Sequence, residues 1–177
     1  KEEALVAVRT SLKNGHGECR NGVLQSVLRD EEGKVVAEQE NPFSLEGGDD
    51  CCLEQTLTVS KPLLWHPYHP HLYELECQVK VDGKTVDSRT ETIGIRTIRY
   101  DRDKGFFING EHLYLVGANR HQSFPYVGDA ASNSMQERDV IDMKRGGYNA
   151  VRAAHYPQDP AFLAACDRYG LLVVECI

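Results

Sequence analysis

Three stretches decide how this chain reads: Gly117-Ala-Asn119-Arg120-His121-Gln122, Asn149-Ala-Val-Arg152-Ala-Ala-His155-Tyr-Pro157 and Cys166-Asp167-Arg-Tyr-Gly170-Leu-Leu-Val-Val-Glu175. In each, polar residues follow a short apolar run of strand length. The runs are Leu113-Tyr-Leu-Val-Gly-Ala, Ala150-Val-Arg-Ala and Leu171-Leu-Val-Val, and segments of helical character lie between them. Strand, helix, strand, helix, strand with short connections implies right-handed crossovers and a parallel sheet. Polar side chains at the ends of consecutive parallel strands are how the mouth of a (β/α)8 barrel looks in sequence, because ligand-facing residues of such barrels sit there. Only the first three of these strands fit before Ile177, so the expectation is an enzyme of which this chain carries the smaller part.

Helix signals flank the runs. Ser134-Met-Gln-Glu137 reads as a capping box, in which serine accepts from the glutamate amide and glutamate reaches back. The helix that follows carries Val140, Ile141 and Met143 and stops at Gly146-Gly147. Asp159 before Pro160 places a capping residue ahead of a proline at the first helical position, and Gly170 ends that helix.

Before residue 100 the periodicity is different. Val6, Val8, Thr10 and Leu12 alternate, as do Leu53, Gln55, Leu57 and Val59, and Leu75, Cys77, Val79 and Val81. Val23 to Leu28 is apolar-rich, Asp30-Glu-Glu-Gly33 turns the chain into Val35-Val36, and residues 90–99 read as extended. Asp82-Gly83 and Asn109-Gly110 are hairpin signals, since both positions of such turns need positive φ. The expected fold is therefore an immunoglobulin-like antiparallel β-sandwich over 1–98, followed by the first strands of an incomplete TIM barrel over 99–177. The charged Arg99-Tyr-Asp-Arg-Asp-Lys104 marks the border.

Composition narrows the partners. A formal net charge of -7 argues against nucleic acid or an anionic membrane as the main partner. No apolar run approaches the roughly 20 residues that span a bilayer. Six cysteines show no metal-type spacing. Cys51 and Cys52 point to opposite faces of a strand, while Cys77 and Cys166 look like small buried hydrophobes. Six free thiols favour a reducing compartment, cytoplasmic rather than periplasmic or secreted.

Asn119, Arg120 and His121 are costly to bury unless they meet water, each other or a ligand, and they read as lining a polar pocket. Arg152 can hold a carboxylate in a two-pronged hydrogen bond, His155 can donate to a sugar hydroxyl, and Glu175 could pair with Arg152. The competing reading is a structural ion-pair network at a barrel rim. His66, His69 and His71 lie in Leu64-Trp-His-Pro-Tyr-His-Pro-His-Leu72; the prolines and the lack of a nearby acidic or thiol ligand argue for a rigid loop rather than a metal site, with Trp65 packed on the sandwich. Trp65, Tyr68 and Tyr73 read as packing residues more than sugar-stacking ones.

These residues resemble glycoside hydrolase family 2, the family of β-galactosidases, β-glucuronidases and β-mannosidases. The matching stretches are Leu64-Trp-x-Pro67, Pro70-x-Leu72-Tyr73, Gly94-Ile-Arg-Thr97, Phe107-x-Asn109-Gly110, Gly117-x-Asn119-Arg-His121, Asn149-Ala-Val-Arg152-x-x-His155-Tyr-Pro157 and Cys166-Asp167-x-x-Gly170. Asn-Arg-His-Gln with Ala-His-Tyr-Pro looks most like the bacterial β-galactosidase type. The resemblance implies a jelly-roll domain, an immunoglobulin-like domain and a catalytic barrel, of which this chain holds the second and the start of the third. It implies a retaining exo-β-glycosidase whose acid/base and nucleophilic glutamates lie downstream of Ile177, leaving no catalytic pair here and an inactive isolated chain. Arg152 would hydrogen-bond the nucleophile, His121 and His155 would contact substrate hydroxyls, and Asn119 would help shape the same floor. Glu175 matches a family acidic position beside which members often carry a second acid; this chain has Cys176 there.

The implied partners are a β-linked oligosaccharide or galactoside and the remainder of the polypeptide, with a homo-oligomer allowed. No metal or cofactor is expected in this chain, and a divalent cation such as Mg2+ is allowed in the full-length enzyme. The alternative is a non-catalytic sandwich that binds carbohydrate or assembles.

Overall fold

The structure is a computed structural model and describes residues 2–175. It divides into two compact units that interleave in sequence: Lys1–Leu63 with Leu72–Ile93, and Leu64–His71 with Gly94–Ile177.

The first unit is an antiparallel sandwich. β1 (Glu3–Lys13) pairs along its length with β4 (Asp50–Ser60). A second sheet runs in the order β3-β2-β7-β8, from β2 (Arg20–Arg29), β3 (Val35–Leu45), β7 (Tyr73–Val81) and β8 (Lys84–Ile93). Alternation turns Val8, Leu57 and Val59 of the first sheet, and Leu24, Leu28 and Leu75 of the second, into the core. Gln55 is buried among them; Ser26 Oγ donates to its Oε1 at 2.6 Å, and its own amide donates to the Leu24 carbonyl at 3.2 Å. The hairpin joining β7 to β8 turns at Asp82 and Gly83, with φ of 50° and 73°. β8 is exposed along almost its whole length and carries charges of both signs, a composition that resists edge-to-edge pairing.

The second unit begins with the short strands β5 (Trp65–His66) and β6 (His69–Pro70). A three-stranded antiparallel sheet follows: β9 (Ile98–Asp101), β10 (Gly105–Ile108) and β11 (Glu111–His112), with Asn109 and Gly110 at φ of 53° and 87° in the turn. Then come β12 (Gly117–Arg120), α1 (Asn133–Arg145), β13 (Ala150–Ala153), α2 (Pro160–Tyr169) and β14 (Leu172–Glu175). These last strands form a parallel sheet in the order β12-β13-β14. Val140 of α1 and Phe162, Ala165 and Cys166 of α2 close with Val151 and Leu171 into one buried cluster, so both helices cover the same face of the sheet.

Three expectations change. The first parallel strand starts at Gly117, not at Leu113. Residues 113–116 are occupied otherwise: the buried Asn149 side chain accepts from Val116 N at 2.9 Å and donates to the Tyr114 carbonyl at 2.9 Å, clamping the chain as it enters the strand. The cap of α1 is Ser132, whose Oγ accepts from Met135 N at 3.4 Å. Glu137, expected in a capping box, instead accepts from Arg168 Nη1 and Tyr169 Oη, each at 2.8 Å, tying α1 to α2. Trp65 does not belong to the sandwich unit. It is 1 % exposed within the second unit, donates its indole N–H to the Asp167 carbonyl at 2.8 Å, and carries the Arg96 guanidinium 4.7 Å over its ring. The α2 signals stand as read, with Asp159 Oδ1 accepting from Ala161 N at 2.8 Å and Gly170 left-handed at φ 79°.

Cys19, Cys51, Cys52, Cys77 and Cys166 are free thiols; Cys176 lies outside the described residues. Cys77, read as buried, is only half-buried and rests 3.2 Å from Ser26 Oγ.

Candidate functional site

The parallel register fixes which residues meet. Asn119 of β12, Arg152 of β13 and Val174 of β14 form one rung. The preceding rung carries Val151 and Val173, which pack toward the helices, so alternation turns Asn119 and Arg152 to the opposite, helix-free face. There Arg152 Nη1 donates to Asn119 Oδ1 at 3.4 Å.

One step beyond the strands, the loops after β12 and β13 bring His121 and His155 together. Their ring centroids are 5.4 Å apart, edge to face, and His121 is 6.2 Å from the Tyr156 ring. Both histidines are exposed. The peptide bond between Ala154 and His155 is cis. The loops are cross-tied: Gln122 N donates to Tyr156 Oη at 3.2 Å, and Asp159 N donates to Gln122 Oε1 at 3.0 Å. Sequence reasoning gave Gln122 and Tyr156 no individual role, and a long-range side-chain tie leaves no mark on periodicity.

The other two candidates lie elsewhere. Arg120 shares its rung with Ala153 and Glu175, one residue past the Asn119–Arg152 rung, so its side chain turns back under the helices. It is 3 % exposed. Its Nε donates to Asp139 Oδ2 at 3.0 Å, its Nη2 to Gln136 Oε1 at 2.6 Å and its Nη1 to Gln158 Oε1, and the guanidinium lies 3.9 Å over the Phe162 ring. The expectation that Arg120 lines the pocket is thereby corrected. Glu175 follows the same alternation: Val174, not Glu175, stands beside Arg152, and Glu175 is exposed at the end of the strand. Cys176 lies outside the described residues.

Burial shifts two neighbouring groups of α2. Burial, helped by Asp167 and partly opposed by Arg120, pushes the Cys166 thiol up to about 12. Burial also raises the Asp167 carboxyl, against the pull of Arg96.

The histidine-rich loop is held against the helix ends. Lys144 Nζ donates to both the Pro67 and Gly170 carbonyls at 2.8 Å, and burial lowers the Lys144 ammonium. His66 sits 5.3 Å from Tyr68 and 6.5 Å from His69, ring to ring. Among the described residues, no group of three or more His, Cys, Asp or Glu side chains is arranged to hold a metal ion. No helix among them is long and apolar enough to cross a membrane. Trp65 and Tyr73 are buried, and Tyr73 Oη accepts from Leu63 N at 2.8 Å; Tyr68 is exposed.

Known proteins resemble this chain in sequence and fold. A family model described as "Glycosyl hydrolases family 2" matches residues 1–96, and one described as "Glycosyl hydrolases family 2, TIM barrel domain" matches residues 101–176. The chain is 36 % identical over 173 residues to a β-glucuronidase of Bacteroides fragilis, covering 97 % of this chain and 24 % of that one. It is 33 % identical over 175 residues to a β-galactosidase of Bacteroides ovatus, covering 99 % and 21 %. A solved β-glucuronidase of Bacteroides uniformis superposes with a TM-score of 0.94 at 32 % identity, over 98 % of this chain and 21 % of that one. The chain thus spans less than a quarter of the length of these relatives.

Proposed function

The chain belongs to glycosyl hydrolase family 2, and from that premise we propose that it is the segment of a retaining exo-β-glycosidase of β-galactosidase type that holds an immunoglobulin-like domain and the first strands of an incomplete catalytic barrel. The observation that carries this reading is the Asn119–Arg152 rung, with the His121–His155 pair one step beyond it, at the C-terminal end of a parallel sheet.

In this reading Arg152 offers its planar guanidinium to the nucleophilic carboxylate, keeping it ionised and oriented. His121 and His155 donate to sugar hydroxyls, and these bonds strengthen as the ring flattens toward an oxocarbenium-like transition state. Asn119 holds Arg152 and shapes the floor. None of these residues can break a glycosidic bond alone. Retention needs two carboxyls about 5–5.5 Å apart across the scissile bond. Glu175 turns away from the Arg152 rung, and a single carboxylate cannot serve as that pair. The reaction needs no redox cofactor. The substrate is a β-linked galactoside or a related β-glycoside, and the rest of the polypeptide supplies the catalytic pair.

The test compares the parent enzyme with the 177-residue chain on nitrophenyl β-galactoside and β-glucuronide. The expected result is turnover with retention by the parent and none above background by the chain. Turnover by the chain that disappears in Glu175→Gln would overturn the assignment of the catalytic pair. A parent inert on both substrates would overturn the glycosidase reading.

A further inference from the structure

We propose that Arg120 is the positioning residue of the site: from the helix side of the sheet it fixes the spacing of His121 and His155. The geometric claim stands on this chain alone, and only its kinetic consequence rests on the glycosidase reading above.

Arg120 immediately precedes His121, yet its side chain leaves the pocket and enters the helix layer. There it is bound from three directions: by Gln136 and Asp139 of α1, by Gln158 of the loop after β13, and by the Phe162 ring of α2. The grip continues toward the second histidine. The Arg120 carbonyl accepts from Ala154 N at 3.0 Å, in the residue just before His155. Gln158, held by the guanidinium, donates its amide to the Tyr156 carbonyl at 3.1 Å, just after His155. His155 is thus bracketed by two residues that answer to Arg120, while His121 is its covalent neighbour.

The surroundings are organised around this cation. A buried guanidinium is tolerable only when paired and hydrogen-bonded, and Asp139 supplies the countercharge with Oδ2 2.9 Å from Nη2. Gln136 turns its carbonyl oxygen to the guanidinium and leaves its Nε2, fully buried, with no hydrogen-bond partner. The reverse orientation would set N–H against N–H. The amide's own satisfaction gives way to the hold on Arg120. Lysine, with a point charge in place of a planar fork, cannot reach these acceptors in the same directions.

The test uses the parent enzyme with Arg120→Met, Arg120→Lys and Asp139→Asn, its active sites counted by a covalent mechanism-based inactivator so that misfolded protein drops out. Asn at 139 keeps an acceptor oxygen but removes the countercharge, and is expected to lower kcat per titrated site less than either Arg120 variant. Arg120→Met and Arg120→Lys are expected to lower kcat per titrated site by about 10- to 100-fold, the effect of a misplacement near 1 Å. KM should stay within about threefold, and affinity for a transition-state analogue should fall with kcat. A fall in titratable sites with unchanged kcat per site would mean that Arg120 only supports folding, and would overturn the proposal. If the parent shows no glycosidase turnover, the glycosidase reading fails separately. Amide exchange at Ala154 in the parent then decides: faster exchange in Arg120→Met than in wild type upholds the positioning role, and wild-type protection in Arg120→Met sinks it.

Discussion

Arg152 donates to Asn119 across the first two strands of the parallel sheet, at 3.4 Å and in direct register, on the face that the helices leave open. The pair links two stretches of sequence 33 residues apart and leaves the guanidinium half-buried on that face. In the parent enzyme, Arg152→Ala should therefore lower kcat by about 100-fold or more, the scale on which a lost electrostatic partner of the reacting groups is felt. His121→Ala and His155→Ala should weaken binding of a transition-state analogue more than binding of substrate. Steady-state kinetics with one substrate and one analogue suffices, and unchanged values in all three variants would return the cluster to an ion-pair network at a rim.

Cys166 should be chemically silent in the native protein. Its thiol stands near 12 against an ordinary 9.0, so the folded state holds the proton more firmly than the unfolded one. The stability this contributes is intact below pH 9 and is lost as pH climbs toward about 12. Alkylation with iodoacetamide at pH 8, read by peptide mass spectrometry, should mark the exposed Cys19 and Cys52 quickly and Cys166 only after denaturation. Labelling of Cys166 at the same rate as Cys19 would show that α2 does not bury it.

Two glycines should respond differently to alanine. A Cβ at Gly117 would lie 2.1 Å from the Ala150 carbonyl oxygen, inside the backbone of the neighbouring strand. Gly117→Ala should cost about 3 kcal/mol or more, since neither strand can yield without losing register. Gly110 has open space around its would-be Cβ and only its φ of 87° to protect it. Gly110→Ala should cost about 1–2 kcal/mol. Urea titrations of both variants decide, and equal losses would mean the approach of β12 to β13 is looser than described.

The parallel sheet has open flanks. Among the described residues, β12 and β14 each pair on one side only, and Tyr114, Val116 and Val174 are 77 %, 42 % and 47 % exposed. Parallel strands are ordinarily covered on both faces. The isolated chain should therefore self-associate at micromolar concentration in sedimentation velocity. A monomer with full amide protection over 113–175 would argue that this sheet needs no further strands.

The turns at Asp82-Gly83 and Asn109-Gly110 and the cap at Asp159-Pro160 were legible in the sequence, because each rests on the backbone preference of one or two residues. The candidate residues were legible as neighbours: Asn119 meets Arg152 across the sheet, and His121 meets His155 in the loops beyond it. The direction of Arg120 and Glu175 was not. In a strand the face depends on parity, and placing the strand's start at Leu113 rather than Gly117 hid that Asn119 and Arg120 lie within it on opposite sides. The start was misplaced because Leu113-Tyr-Leu-Val is apolar enough for a strand, while the group that claims its backbone, the Asn149 amide, is distant in sequence. The cap at Ser132 is hidden for the same kind of reason: Ser134 sits at the better spacing to a glutamate, but that glutamate is engaged by α2.

The link from Trp65 to the Asp167 carbonyl joins residues 102 apart in the chain. On a ribosome adding residues at ordinary rates, Trp65 is made roughly 5–20 s before the carbonyl that accepts its indole N–H. The sandwich strands that follow it, through Ile93, are complete long before then. The order of closure is therefore written into the covalent path: the first unit can fold as it emerges, while the indole N–H of Trp65 waits for α2 to bring the carbonyl that accepts it.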